Sequence, residues 1–144
     1  MTDWPLLLAA NAGAQIFFAV LLGWAMLLPT RPGSSGQTID HRQLWAAHLD
    51  WIMLGLSQTA AALIITEANL THSALAAVLL IAGGWLNPLP YLFRAFGIDA
   101  FRYAGSMVQR ASAALGGVSS VALTIGWLLL LVEAAPRISK AVAG

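Results

Sequence analysis

Cysteine is absent from the 144 residues and charge is scarce, with seven Lys or Arg and six Asp or Glu making up 9% of the chain. Without a thiol there is no iron–sulfur cluster, no thiolate-ligated haem and no thiol nucleophile. A soluble domain carries roughly 25% charged residues to solvate its surface, so this scarcity excludes an ordinary cytosolic domain. It excludes a disordered chain as well, which needs high charge and low hydrophobicity. A net charge of +1 offers no electrostatic footprint for nucleic acid. A basic region ahead of the first apolar run is also lacking, and that run is too long for the core of a signal peptide. The first helix is therefore expected to stay in the mature protein.

What is present is apolar: 59% of the residues are hydrophobic. Each crossing of a bilayer takes about 20 mostly apolar residues, and the charge-poor runs mark four of them. The expected fold is all-α, a polytopic membrane protein formed as one four-transmembrane-helix bundle over 1–144, with helices near 4–29, 40–66, 72–95 and 111–133. Its solvent and first partner is the lipid bilayer.

Asp3 or Thr2 is placed to cap the first helix, with Pro5 in its first turn. Pro29 and Pro32 end it. The stretch Thr30 to Gln37 reads as turn and coil, and Thr38 or Asp40 caps the second helix. The short link from Glu67 to Thr71 makes the second and third helices antiparallel neighbours. Residues 96–110, with Arg102 and Arg110 among aromatic side chains, read as a helix extension or an interfacial segment. The two loops holding Arg31, Arg42, Arg94, Arg102 and Arg110 outweigh the tail with Arg137 and Lys140, which places both termini outside the cytoplasm. On the fourth helix Ser112, Gly116, Ser120 and Thr124 recur every four residues beside Gly117. Such a row packs either within the bundle or against another subunit.

An ionisable group inside hydrocarbon is expensive, roughly +2.5 to +3.5 kcal/mol for Asp at a helix centre. His48 and Asp50 lie well inside the second helix. His41, His48 and Gly55 recur at seven-residue spacing and so share a side. A donor nitrogen beside a side-chain-free surface suits a planar ligand such as a porphyrin, for which neutral imidazole is the usual iron ligand. The plainer alternative is that His48 hydrogen-bonds a neighbouring helix. Asp50 points elsewhere and is expected to pair with a polar group such as Asn11 or Gln15 of the first helix. In the third helix Pro88 and Pro90 remove two backbone hydrogen bonds, freeing the carbonyls of Gly84 and Leu86 and kinking the helix. Gly84, Asn87 and Tyr91 share one face there. They form either a polar pocket wall or a satisfied kink with an interfacial tyrosine.

Two segments carry a resemblance. Residues 45–55, from Trp45 through Ala47-His48-Leu49-Asp50 to Gly55, are similar to the second-helix motif of the styrene oxide isomerases and hydroxylaminobenzene mutases, small four-helix membrane enzymes. Gly84-Trp85-Leu86-Asn87 with Tyr91 is similar to the third-helix motif of the isomerases. The resemblance implies a homotrimer in a bacterial inner membrane that binds haem b. His48 would be the axial ligand of the iron. Gly55, Trp85, Arg42 and Arg94 would contribute to the cofactor site, the two arginines placed to pair with propionates. Tyr91 and Asn87 would act on a small apolar aromatic substrate, an epoxide rearranged to an aldehyde without net redox change. The chain departs from the family at Leu54, where the family has Asn, and at Gly83, where the isomerases have an acidic residue. A non-catalytic haem protein, sensor or carrier, is the alternative that Leu54 favours.

Overall fold

The computed structural model describes residues 2–27, 39–71 and 73–143. They form five α-helices: α1 (Trp4–Leu27), α2 (His41–Glu67), α3 (Ala74–Leu86), α4 (Leu89–Ala95) and α5 (Met107–Ala143). α3 and α4 together make one span, so four segments are long and apolar enough to cross a membrane. The expected all-α four-span bundle is what forms. The loop Thr30 to Gln37, Thr38 and the end of the first helix at 28–29 lie outside the described residues.

Capping follows the sequence. Asp3 Oδ1 accepts from the Leu6 amide at 3.0 Å, and Asp40 Oδ1 accepts from the amides of Arg42 (2.9 Å) and Gln43 (3.3 Å). Each carboxylate satisfies backbone donors that a helix N-terminus leaves unpaired. Asp40→Ala should lower the stability of the detergent-solubilised protein by about 0.5–2 kcal/mol, read from its thermal unfolding; an unchanged transition would mean that packing alone sets the start of α2.

Three boundaries differ from expectation. The third span is broken rather than merely kinked: α3 stops at Leu86, Asn87 and Pro88 form a turn, and α4 restarts at Leu89. Two prolines in three residues remove successive donors, and the Pro88 carbonyl then accepts from the amides of Tyr91 and Leu92 to begin a new helix. The last helix is longer than 111–133, running from Met107 through Pro136 to Ala143. Charged residues such as Arg110 and Glu133 mark where hydrocarbon ends, and a helix can continue into water beyond them. Residues 96–106 are not a helix extension; they form an irregular connection bracketed by Gly97 (φ 82°) and Gly105 (φ 115°), backbone conformations that favour glycine.

α1 packs chiefly on α2, and α3 chiefly on α5. α2 and α3 touch, but neither is the other's main neighbour. One core cluster joins Leu8, Ala61, Ile65, Leu80 and Leu130 from all four spans. A second, around Ala19, Ala47 and Trp51, gathers Trp85, Leu89 and Tyr91 against it. Small side chains dominate the contact surfaces because close helix approach, not hydrophobicity, drives association in lipid. Polar side chains cross-link the spans. Asn11 Nδ2 donates to Gln58 Oε1 (2.5 Å), Gln58 Nε2 donates to the Leu80 carbonyl (2.9 Å) and Trp85 Nε1 donates to Asn11 Oδ1 (2.9 Å). Gly84 is bare where it meets these amides, and a Cβ there would collide with Gln58 and Gln15.

Candidate functional site

His48 is half-buried at the junction of α1 and α2. Its Nδ1 lies 2.7 Å from the Ala19 carbonyl oxygen. A carbonyl can only accept, so Nδ1 carries the proton and Nε2 of the neutral ring keeps its lone pair. No partner takes Nε2 among the described residues. The ring is braced on two sides. Trp45, one turn back, stacks on it with centroids 5.1 Å apart and planes 5° from parallel. Gly23 of α1 supports its edge, where an added Cβ would stand 3.1 Å from Cε1. Gly23 is four residues beyond Ala19, one turn on along the same face of α1, so its bareness lets the imidazole reach the Ala19 carbonyl. Neither residue stood out in sequence reading; the signal available was the small-xxx-small spacing of Ala19 and Gly23.

An open pocket of about 480 Å³ is lined by Gly23, Met26, Leu27, His41, Arg42 and Trp45; His48 does not line it but touches two of these residues, Gly23 and Trp45. Its walls are almost wholly apolar, with Arg42 at the rim. Among the described residues no group of three or more His, Asp or Glu side chains comes together. A macrocycle-held iron needs only one protein nitrogen, and this geometry supplies one of defined tautomer, oriented by a backbone carbonyl as metal-ligating histidines commonly are. His48 thus offers one donor nitrogen of the kind a haem iron takes, next to a pocket lined by His41 and Arg42.

Three expected members of that site lie elsewhere. Gly55 is buried, and its bare face is filled by α1: an added Cβ would meet Ile16 at 2.7 Å and the Ala12 carbonyl at 3.0 Å. It is a packing glycine rather than an open surface beside His48. Trp85 is locked in a cluster of aromatic rings with Phe18 (5.8 Å) and Trp51 (6.5 Å) and holds Asn11. Arg94 is on α4 with its guanidinium 5.3 Å from the Phe101 ring centroid, away from the Arg42 pocket. α1 covers the face of α2 on which the seven-residue spacing depended.

Asp50 does not pair with Asn11 or Gln15. Two residues along a helix turn roughly 200° around its axis, so Asp50 faces away from His48, and its Oδ2 accepts from Asn87 Nδ2 at 2.8 Å. Asn87 Oδ1 in turn accepts from the Ser119 hydroxyl of α5 (3.1 Å), while the Ser120 hydroxyl, 3.4 Å away, donates to the Gly116 carbonyl at 2.9 Å. The amide therefore bridges α2 to α5 at the break between α3 and α4, and its two ends are told apart by an acceptor-only carboxylate on one side and a hydroxyl donor on the other. Asn11 belongs to the inner network instead, and Gln15 lies beside Gly84, fully buried with both amide atoms unpartnered among the described residues.

Asn87 and Tyr91 line a second pocket of about 330 Å³ with Phe101, Tyr103, Gly117 and Ser120. It is walled by α4, the 96–106 connection and α5. The small-residue row on α5 serves this packing in part: an added Cβ at Gly116 would meet Pro90 at 3.2 Å, and Ser112 is buried. The two pockets share no residue, and His48 lines neither of them. Comparison of the sequence with protein-family models and with curated proteins finds no match for this chain.

Proposed function

We propose that the protein is an integral membrane haem b protein of the isomerase type, rearranging a small apolar aromatic epoxide to an aldehyde. The tautomer of His48 is the observation that carries this reading: Nδ1 is committed to Ala19, which leaves Nε2 as an iron ligand beside an apolar pocket rimmed by Arg42. His48 would hold the iron and Arg42 a propionate. Bound there, ferric haem would supply a Lewis acid toward an epoxide oxygen. Tyr91 would donate its phenol hydrogen to that oxygen as the C–O bond opens, stabilising developing negative charge. Asn87, fixed by Asp50 and Ser119 of α5, would keep the polar edge of the substrate in register. Apolar walls would exclude water and so suppress hydrolysis. The rearrangement consumes no oxidant, since substrate and product have the same composition.

Separation of the two pockets within a protomer gives this reading a structural requirement. A site that draws on both pockets would be assembled between copies, as a homotrimer in a bacterial inner membrane would provide. The same separation favours a second reading, a haem carrier or sensor with no turnover.

Purification in mild detergent tests both. The expected result is a Soret band together with conversion of styrene oxide to phenylacetaldehyde. A Soret band without conversion selects the carrier or sensor, and a colourless protein that does not take up added haem overturns the proposal.

A further inference from the structure

Tyr103 had no part in the sequence motifs, yet the fold brings it to the pocket of Asn87 and Tyr91. It arrives on the irregular connection between α4 and α5, whose ends turn at Gly97 and Gly105. Two contacts set this connection against the pocket. Phe101 meets the Tyr91 ring edge-on at 5.2 Å and lies under the Arg94 guanidinium. The Tyr103 hydroxyl rests over Gly117 of α5, where an added Cβ would be 3.3 Å from it. Neither phenol has a hydrogen-bond partner among the described residues, so two O–H donors, the half-buried Tyr91 and the exposed Tyr103, line one open pocket. Ser120, by contrast, donates to the Gly116 carbonyl at 2.9 Å, and Asn87 is held by Asp50 and α5.

We propose that this pocket is a binding site for a small neutral aromatic molecule bearing an oxygen acceptor, and that Tyr103 is the second phenol that binds the oxygen. The inference rests on the reading of Tyr91 as a substrate donor and extends it to a residue outside the resembling motifs. A volume of about 330 Å³ lies at the small end of the roughly 300–1,000 Å³ usual for ligand pockets, which admits one aromatic ring and excludes a macrocycle. The ring faces of Tyr91 and Phe101 and the bare Gly117 give apolar walls, and the paired phenols give the polar end.

The test is equilibrium dialysis of the full-length protein in lipid nanodiscs, with empty nanodiscs subtracted, using acetophenone and ethylbenzene. The two probes have nearly the same size and differ in the oxygen acceptor. Saturable acetophenone binding is expected to weaken roughly three- to tenfold in Tyr103→Phe, the range for one neutral hydrogen bond, with ethylbenzene binding unchanged. Equal acetophenone affinity in wild type and Tyr103→Phe, or an equal loss for both probes, would overturn the proposal. Because dialysis does not depend on haem, a colourless protein that still shows the Tyr103 effect separates failure of the cofactor reading from failure of this one.

Discussion

Replacing His48 with alanine is expected to abolish the Soret absorbance of the purified protein. The His48 Nδ1 is held by the Ala19 carbonyl, and its ring touches Gly23 and Trp45, two residues of the neighbouring apolar pocket. His41 lines that pocket but is exposed, and among the described residues no carbonyl orients it. The companion variant is Gly23→Val, which leaves the ligand in place and removes its support: side-chain atoms at position 23 would press on an imidazole edge only 3.1 Å from the first added carbon. Loss of an outer-shell partner typically weakens metal binding about 10- to 100-fold. Gly23→Val should therefore retain haem with correspondingly reduced affinity in titration, whereas His48→Ala should retain none at the same concentration. A His48→Ala protein with an undiminished Soret band would remove His48 from the site.

The second large effect concerns turnover. Removing one donor from an oxyanion site costs about 10²- to 10³-fold in kcat, so Tyr91→Phe should reduce styrene oxide conversion by that factor while leaving the Soret band intact. Tyr91 lines a pocket that His48 does not, and a site assembled between copies predicts that the two defects complement. Co-expression of His48→Ala with Tyr91→Phe would create contacts in which one copy supplies the intact histidine and its neighbour the intact tyrosine. Random mixing in a symmetric oligomer should restore roughly a quarter of the sites. Co-purified mixtures with activity no higher than either variant alone would show that the two residues do not act across a contact between copies.

Much of the fold was legible because the charges are few. Asp3 and Asp40 mark helix starts, and each is seen receiving backbone amides. Pro88 and Pro90 mark a discontinuity because a missing N–H is a local fact that no tertiary context restores. The row from Ser112 to Thr124 announced close packing without saying on what; Pro90 sits against Gly116, while Ser120 and Thr124 stay exposed.

Facing was harder. In water an amphipathic pattern separates inside from outside, but in lipid both are apolar, so the spacing of His41, His48 and Gly55 identifies a shared side without naming its neighbour. α1 took the Gly55 end of that side. Asp50 could be recognised as needing a partner, since an unpaired carboxylate in hydrocarbon is costly, but its choice of Asn87 over Asn11 depends on where α3 breaks and how α5 crosses it. Tyr103 gave no periodic signal, lying on a connection whose course is set by Gly97, Gly105 and the bare surface at Gly117.

The sequence by itself determined the solvent, the four spans, the helix caps and a discontinuity at Pro88 and Pro90, because each follows from local chemistry: a charge that lipid rejects, an amide that needs an acceptor, a proline that lacks a donor. Only the tertiary structure decided which groups share a pocket. It set His48 against the Ala19 carbonyl and Gly23, closed Gly55 under Ile16, carried Arg94 to Phe101 and brought Tyr103 to Tyr91. Those pairings depend on the distance and angle between helices, which side-chain shape fixes when every surface is equally apolar.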